Sequence, residues 1–307
     1  MKQIIVSVVL LVCLLSCDPK ATQQLTTAPS PATPALVDTH EQEILAFRAQ
    51  REAQLTRPTG WLSLIGLYWL EEGMNSFGAA DDNTIQVPGT DTETIGAYQK
   101  AGDEIFFGSI EGTEVLHRGQ PYMGGPVDIG YPPVEVNHGN LYWYVLKRDG
   151  RYGLRMKDTL AKSRTEFAGI PYFPIDDKYR FEATVRPTQD SIAITNVMGA
   201  TSNVPVAAYI EFGVAEQYYS LAALDEGGDS YFVIFSDETT ATSSYGGGRF
   251  IYPIKPCDSC EQITILDFNK AVNPPCAYTD FATCPLPPAH NRLRFKVEAG
   301  ECALDDH

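Results

Sequence analysis

The feature that most restricts this chain is its rhythm. Short runs of aromatic and β-branched residues recur with turn residues (Gly, Pro, Asp, Asn) between them. The runs lie at residues 75–78, 84–87, 104–107, 113–116, 179–185, 191–197, 207–212, 218–224 and 230–235. A spacing of about 8–12 residues with turn signals fits antiparallel strands and leaves little room for helices. Residues 141–146 and 152–156 read as one hairpin, because Asp149-Gly150 between them suits a two-residue turn. Residues 61–70 are apolar at nearly every position, which reads as a buried strand or strand pair. One helix is expected, over about residues 40–55. There Thr39 and Gln42 form a capping box, and Ile44, Phe47, Arg51 and Leu55 follow at helical spacing. The fold class read from this pattern is mainly β: antiparallel sandwich- or barrel-like units with one N-terminal α-helix. Two β units are expected, residues 39–158 including the helix and residues 159–307, with no internal repeat.

The first residues read as an address. Lys2 precedes an apolar stretch over residues 4–15, too short to span a bilayer, which takes about 20 residues. Leu14-Leu15-Ser16-Cys17 then reads as a bacterial lipobox. Residues 1–16 are thus expected to be a lipoprotein signal peptide, with Cys17 the lipidated N-terminus. Residues 17–38, rich in Thr, Ala, Pro and Gln, read as a disordered tether, since such a segment cannot bury enough apolar surface to fold. The expected location is the bacterial cell envelope, outside the cytoplasm, with the membrane as a partner through the anchor.

The formal net charge is −16, from 23 basic and 39 acidic residues. With no Lys/Arg-rich run, that balance argues against nucleic acid as a partner. Cysteines outside the cytoplasm usually pair, and Cys276 with Cys284 and Cys257 with Cys260 are the expected disulfides, leaving Cys302. The alternative is zinc. Cys257, Cys260 and Cys276 match three ligands of a four-cysteine site, but the gap to Cys284 is wrong for the fourth. No other cofactor or metal is expected. The histidines His40, His117, His138, His290 and His307 are scattered.

Two segments carry a family resemblance. One is residues 60–70, Gly-Trp-Leu-Ser-Leu-Ile-Gly-Leu-Tyr-Trp-Leu. The other joins Tyr-Gly-Gly-Gly-Arg-Phe at 245–250 to Asp-Phe-Asn at 267–269, Asn-Pro-Pro-Cys-Ala-Tyr at 273–278, Ala-Thr-Cys-Pro-Leu-Pro-Pro at 282–288 and Asn-Arg-Leu at 291–293. Over residues 40–301 the chain resembles the bacterial and archaeal domain-of-unknown-function family 1684. That resemblance implies no reaction. Residues 75–85 also resemble, weakly, the early strands of a forkhead-associated domain. Ala79 stands where such domains carry a phosphate-reading arginine, so the resemblance implies a sandwich shape without that function.

No hydrolase elbow, zinc-protease, nucleotide-loop or calcium-loop signature is present. The densest polar cluster is C-terminal. The glycines at 246–248 could converge backbone N–H groups on an anion, with Arg249 as a bidentate donor. Asp267 and Asn269 would share one strand face, and Tyr245, Asn273, Asn291 and Arg292 complete the candidate set for a ligand or catalytic site. The competing reading makes the glycines a turn and has these side chains cap a Pro-rich segment that lacks its own ladder. Cys276 or Cys284 as a nucleophile near His290 is a further reading, with the disulfide the simpler state. The leading expectation is a binding module for a polar or anionic small molecule or protein partner. The alternatives are a hydrolase or transferase acting on a polar small molecule, and a structural envelope protein.

Overall fold

The computed structural model describes residues 39–304 apart from Tyr131 and Asp258. The signal peptide, Cys17, the tether and His307 lie outside the described residues.

The architecture is mainly β, with several mostly antiparallel sheets, none closed into a barrel, and one long N-terminal helix. Residues 64–158 build two sheets. The six-stranded sheet runs in the order Leu64–Trp69, Arg151–Asp158, Leu141–Arg148, Val136–His138, Leu116–His117, Gln120–Pro121. The five-stranded sheet runs Ile85–Gln86, Gly73–Gly78, Gly96–Ala101, Glu104–Ser109, Gly124–Pro126. Its pairing of Gly73–Gly78 with Ile85–Gln86 is parallel. Inward-facing side chains of both sheets share one core, including Phe77, Tyr98, Phe107, Trp143, Leu154 and Met156. Trp143 donates its indole N–H to the buried Tyr98 hydroxyl at 3.0 Å, so the core contains no orphaned indole. Burial pushes the Tyr98 phenol far above its usual range. Arg148 pairs Arg151 across the expected hairpin, and both Asp149 (φ 50°) and Gly150 (φ 75°) take positive φ, as a type I′ turn requires.

Residues 180–267 supply a four-stranded antiparallel sheet in the order Gln217–Ala223, Ala208–Val214, Arg180–Pro187, Ile263–Asp267. Two further strand pairs accompany it, Ser191–Thr195 with Thr201–Pro205 and Val233–Phe235 with Arg249–Ile251. Its core includes Phe212, Phe235, Leu266, Phe268, Leu293 and Val297. The apolar segment at residues 61–70 divides. Trp61–Ser63 forms a 3₁₀ turn that Ser63 closes by hydrogen-bonding Gly60 O through both N–H and hydroxyl, and Leu64–Trp69 is the strand.

The helix Thr39–Leu55 precedes the first pair of sheets in sequence but docks on the C-terminal β structure. Ile44 and Leu55 are buried, and Phe47 packs with Trp61 against Phe232, Phe250 and Val272. Arg51 lies on the same stripe and makes an ion pair with Glu301, whose side chain is fully buried (Nε to Oε1 2.9 Å). Glu301 also accepts from Asn273 N–H and the Tyr278 hydroxyl. One paired carboxylate thereby ties the helix to the last residues of the fold.

Candidate functional site

Most of the C-terminal polar cluster is occupied in holding backbone. Arg249 is fully buried. It donates to Ala299 O at 2.5 Å, to Val297 O at 2.8 Å and to Asp237 Oδ2 at 2.8 Å. Gly248 has φ 79°, and a Cβ there would stand 2.2 Å from Pro287 Cγ, so the glycines form a turn pressed against the following proline segment. Asn291 accepts from Ala222 N–H and donates to Ala222 O and Ile234 O, which joins two strands that do not pair directly. Asn269 brackets Asp176 through that residue's N–H and C=O. Asp267 caps the 3₁₀ turn Phe268–Lys270 through Asn269 N–H and also accepts from His40 Nε2 at 2.6 Å. The Tyr245 hydroxyl donates to Cys276 O, and Arg292 is exposed beside Ser236. The seven residues therefore do not converge on one cavity. Asp267 lines a cleft of about 340 Å³, where Asp267 is paired with His40, Lys270 with Glu43 and Lys255 with Asp225, while Arg180 in the same lining is exposed to solvent.

Asn273 is different. It lines a cleft of about 470 Å³ between the sheet of residues 64–158 and the C-terminal structure. Phe47, Arg51 and Gln54 enter it from the helix, Trp61 from the 3₁₀ turn, and Arg148 and Arg155 from the Asp149-Gly150 hairpin strands. Glu226, Phe232, Phe250 and Tyr252 complete the opposite side. The segment at residues 282–285 forms one wall and is held by the Cys276–Cys284 disulfide. Cys257 and Cys260 are also bonded to each other, so neither pair offers free thiolates to a metal. Cys302 is free.

The electrostatics of this cleft run against the chain's net charge. Arg155 is only 4% exposed, yet among the described residues neither it nor Arg148 has a carboxylate within 4.0 Å. The Arg155 guanidinium makes two long hydrogen bonds, 3.3 Å to the Tyr144 hydroxyl and 3.3 Å to Phe281 O, and stands 5.5 Å over the Trp61 ring. Its Nε has no partner. Arg51 is desolvated, which opposes its charge, but the Glu301 carboxylate outweighs that and holds the guanidinium protonated. Glu226, also in the lining, is exposed, and such burial as it has raises its carboxyl. Burial, with the Glu226 charge adding to it, pushes the Tyr252 phenol up to about 12.

Isolated buried charges are costly, by several kcal/mol each even after relaxation. A buried cation without an anion, in a chain with a large excess of acids, leaves a place for an anion to fill. Sequence reasoning did not find Arg155, because it sits among strand residues like any outward-facing polar position. Arg51 carried a signal, since it falls on the apolar helical stripe between Phe47 and Leu55.

A family model described as "Protein of unknown function (DUF1684)" matches residues 165–302. Among solved structures, the chain is similar to an uncharacterized protein of Haloarcula marismortui determined in solution by NMR. The two are 34% identical, the match covering 47% of this chain and 81% of that one, with a TM-score of 0.39. No curated protein matches.

Proposed function

Since the chain belongs to the DUF1684 family of unknown function, and that family brings no reaction with it, we propose a function from the cleft itself: this is a binding protein for a small organic anion, held outside the cytoplasm by a lipid on Cys17. The observation that carries the binding reading is Arg155, buried to 4% exposure with an unpartnered Nε in the cleft lining. An anion there would supply the missing counter-charge, while the exposed Arg148 adds positive potential at the same cleft and Arg51 is already paired with Glu301. The lipobox and the Thr/Pro-rich tether support the location, and two disulfides suit an oxidising compartment. In this reading the Arg249–Asp237 and Asn291 networks are structural and lie outside the cleft lining.

One observation favours a second reading. Glu226 lines the same cleft and its partial burial shifts the carboxyl upward, the direction a general acid needs, so a hydrolase or transferase acting on the bound anion is the alternative. The two readings separate in a Glu226→Gln variant. Under the binding reading it keeps its ligand with affinity nearly unchanged. Under the enzyme reading it keeps the ligand and loses turnover.

The test of the proposal is native against denatured mass of residues 18–307, purified from the periplasm without reduction. Extra mass present only in the native state, and absent in Arg155→Gln, is the expected result. A native mass equal to the bare disulfide-bonded chain, together with no response to added carboxylates, contradicts it.

A further inference from the structure

Two residues of the cleft lining each carry a buried, orphaned polar atom, and the two atoms are of opposite hydrogen-bonding sense. The first is Arg155 Nε, a donor. The second is Asn273 Oδ1, an acceptor on a residue that is 1% exposed. The Asn273 amide is fixed in orientation because its Nδ2 donates to Cys302 O at 2.7 Å, while its backbone N–H and C=O go to Glu301 and Arg51. Buried polar groups in folded proteins nearly always have partners, and an orphan costs free energy. Two orphans on residues that line one cleft point to a ligand that satisfies both as the side chains shift to meet it.

The chemistry of each atom specifies what that ligand carries. Guanidinium has five N–H donors, and Arg155 spends two of them on Tyr144 and Phe281 O. Three donors remain, Nε–H and one hydrogen on each Nη, and two neighbouring guanidinium donors match a planar carboxylate in a two-pronged contact. Asn273 Oδ1 asks for a hydroxyl or amino donor. The same lining includes the aromatic side chains of Phe47, Trp61, Phe232, Phe250 and Tyr252. Phe232 stacks on Tyr252 with ring centroids 5.4 Å apart and meets Phe250 edge-on at 4.8 Å. Such walls favour a ring over a hydrated ion.

We infer that the cleft takes a cyclic, predominantly aromatic carboxylate that also bears a hydroxyl or amino group, the carboxylate on Arg155 and the donor on Asn273. This rests on the proposal that the cleft is the binding site, and it narrows that proposal to one ligand class.

The experiment is calorimetric titration of intact residues 18–307 with acetate, benzoate, the three isomeric hydroxybenzoates and phenol at millimolar concentration. Benzoate is expected to bind about tenfold or more tighter than acetate, because the ring is buried. The best hydroxybenzoate is expected to bind roughly fivefold to tenfold tighter than benzoate, because it satisfies the orphaned acceptor. Phenol, without a carboxylate, is expected to bind more weakly than benzoate. Arg155→Lys, which keeps the charge but loses the two-pronged edge, is expected to weaken the best hydroxybenzoate about tenfold.

The failures are distinguishable. If acetate binds as well as benzoate, or no hydroxybenzoate exceeds benzoate, the ligand class is overturned while anion binding survives. If phenol binds as tightly as the hydroxybenzoates, or if no compound binds at all, both the class and the anion site are overturned.

Discussion

Arg249 and Asp237 form an ion pair in which neither side chain reaches solvent, with Nη2 2.8 Å from Oδ2. Asp237 also accepts from Thr239 N–H, the Thr239 hydroxyl and Val297 N–H. The pair thus joins the strand Arg249–Ile251 to the turn after Val233–Phe235 and to the chain near residue 297. Removing one partner leaves the other as an uncompensated buried charge, which costs about 3–5 kcal/mol. Arg249→Met is expected to lower the urea-unfolding free energy by roughly that amount while leaving carboxylate binding to the residual folded protein unchanged. A stable Arg249→Met protein that fails to bind would move Arg249 into the binding machinery.

The turn before Arg249 makes a sharper claim about sterics. Gly248 has φ 79°, and an added Cβ would meet Pro287 Cγ at 2.2 Å and Phe235 O at 2.6 Å. The left-handed conformation alone costs a non-glycine residue about 1–2 kcal/mol, and the clash adds to it. Gly248→Ala is therefore expected to destabilise by more than about 2 kcal/mol. Gly102→Ala, also at positive φ but with no heavy atom near its Cβ position, is expected to cost less in the same unfolding assay.

His40 predicts a pH dependence. Its two ring nitrogens face two carboxylates, Nδ1 to Asp177 Oδ1 at 2.5 Å and Nε2 to Asp267 Oδ2 at 2.6 Å. Only the imidazolium can donate to both, since the neutral ring has a single N–H. Desolvation opposes the charge, but the hydrogen bonds and charges of Asp267 and Asp177 outweigh it, and the net effect raises the His40 pKa. A raised folded-state value means the contribution to stability is complete below the unfolded value of about 6.5 and is lost as pH rises through the folded value. The stability difference between the wild type and His40→Gln is expected to be largest just below about pH 6.5 and to shrink as the solution becomes alkaline. A difference that grows with pH would contradict this account of the contact.

The disulfide Cys276–Cys284 closes a short loop, with a sequence separation of 8, and the loop contains Phe281, whose carbonyl accepts from Arg155. Loop-closure entropy for a ring of that size is worth about 2.5 kcal/mol. The double variant Cys276→Ala/Cys284→Ala is expected to lose about that much stability and to weaken carboxylate binding as the wall of the cleft loosens. In the unreduced, denatured protein of residues 18–307, thiol titration is expected to find one free thiol, Cys302. Four or five would sink the pairing.

Much of the architecture could be read from the chain. Strand periodicity, the Asp149-Gly150 turn and the helical stripe of Ile44, Phe47, Arg51 and Leu55 are local signals, and local physics realises them. Strands such as Gly96–Ala101 and Thr201–Pro205 escaped notice because they are short or polar and are defined by the partners they pair with. The polar cluster around Arg249, Asp267 and Asn291 stood out by composition, but composition does not separate a ligand donor from a backbone clamp. Arg249 finds Asp237, Val297 and Ala299 at sequence separations of 12, 48 and 50. The cleft was hidden for the same reason. Arg155 becomes a buried unpaired cation only because Phe281, 126 residues away, closes over it.

The central claim is that Arg155 awaits an anion. A ligand that binds only the folded state stabilises it by RT ln(1 + [L]/Kd), about 2.7 kcal/mol at a hundredfold excess over Kd. Thermal unfolding of residues 18–307, with and without saturating hydroxybenzoate, for the wild type and Arg155→Gln, tests the claim directly. The account predicts a rise in Tm for the wild type and none for Arg155→Gln. An equal rise in both proteins, or no rise in either, would contradict it.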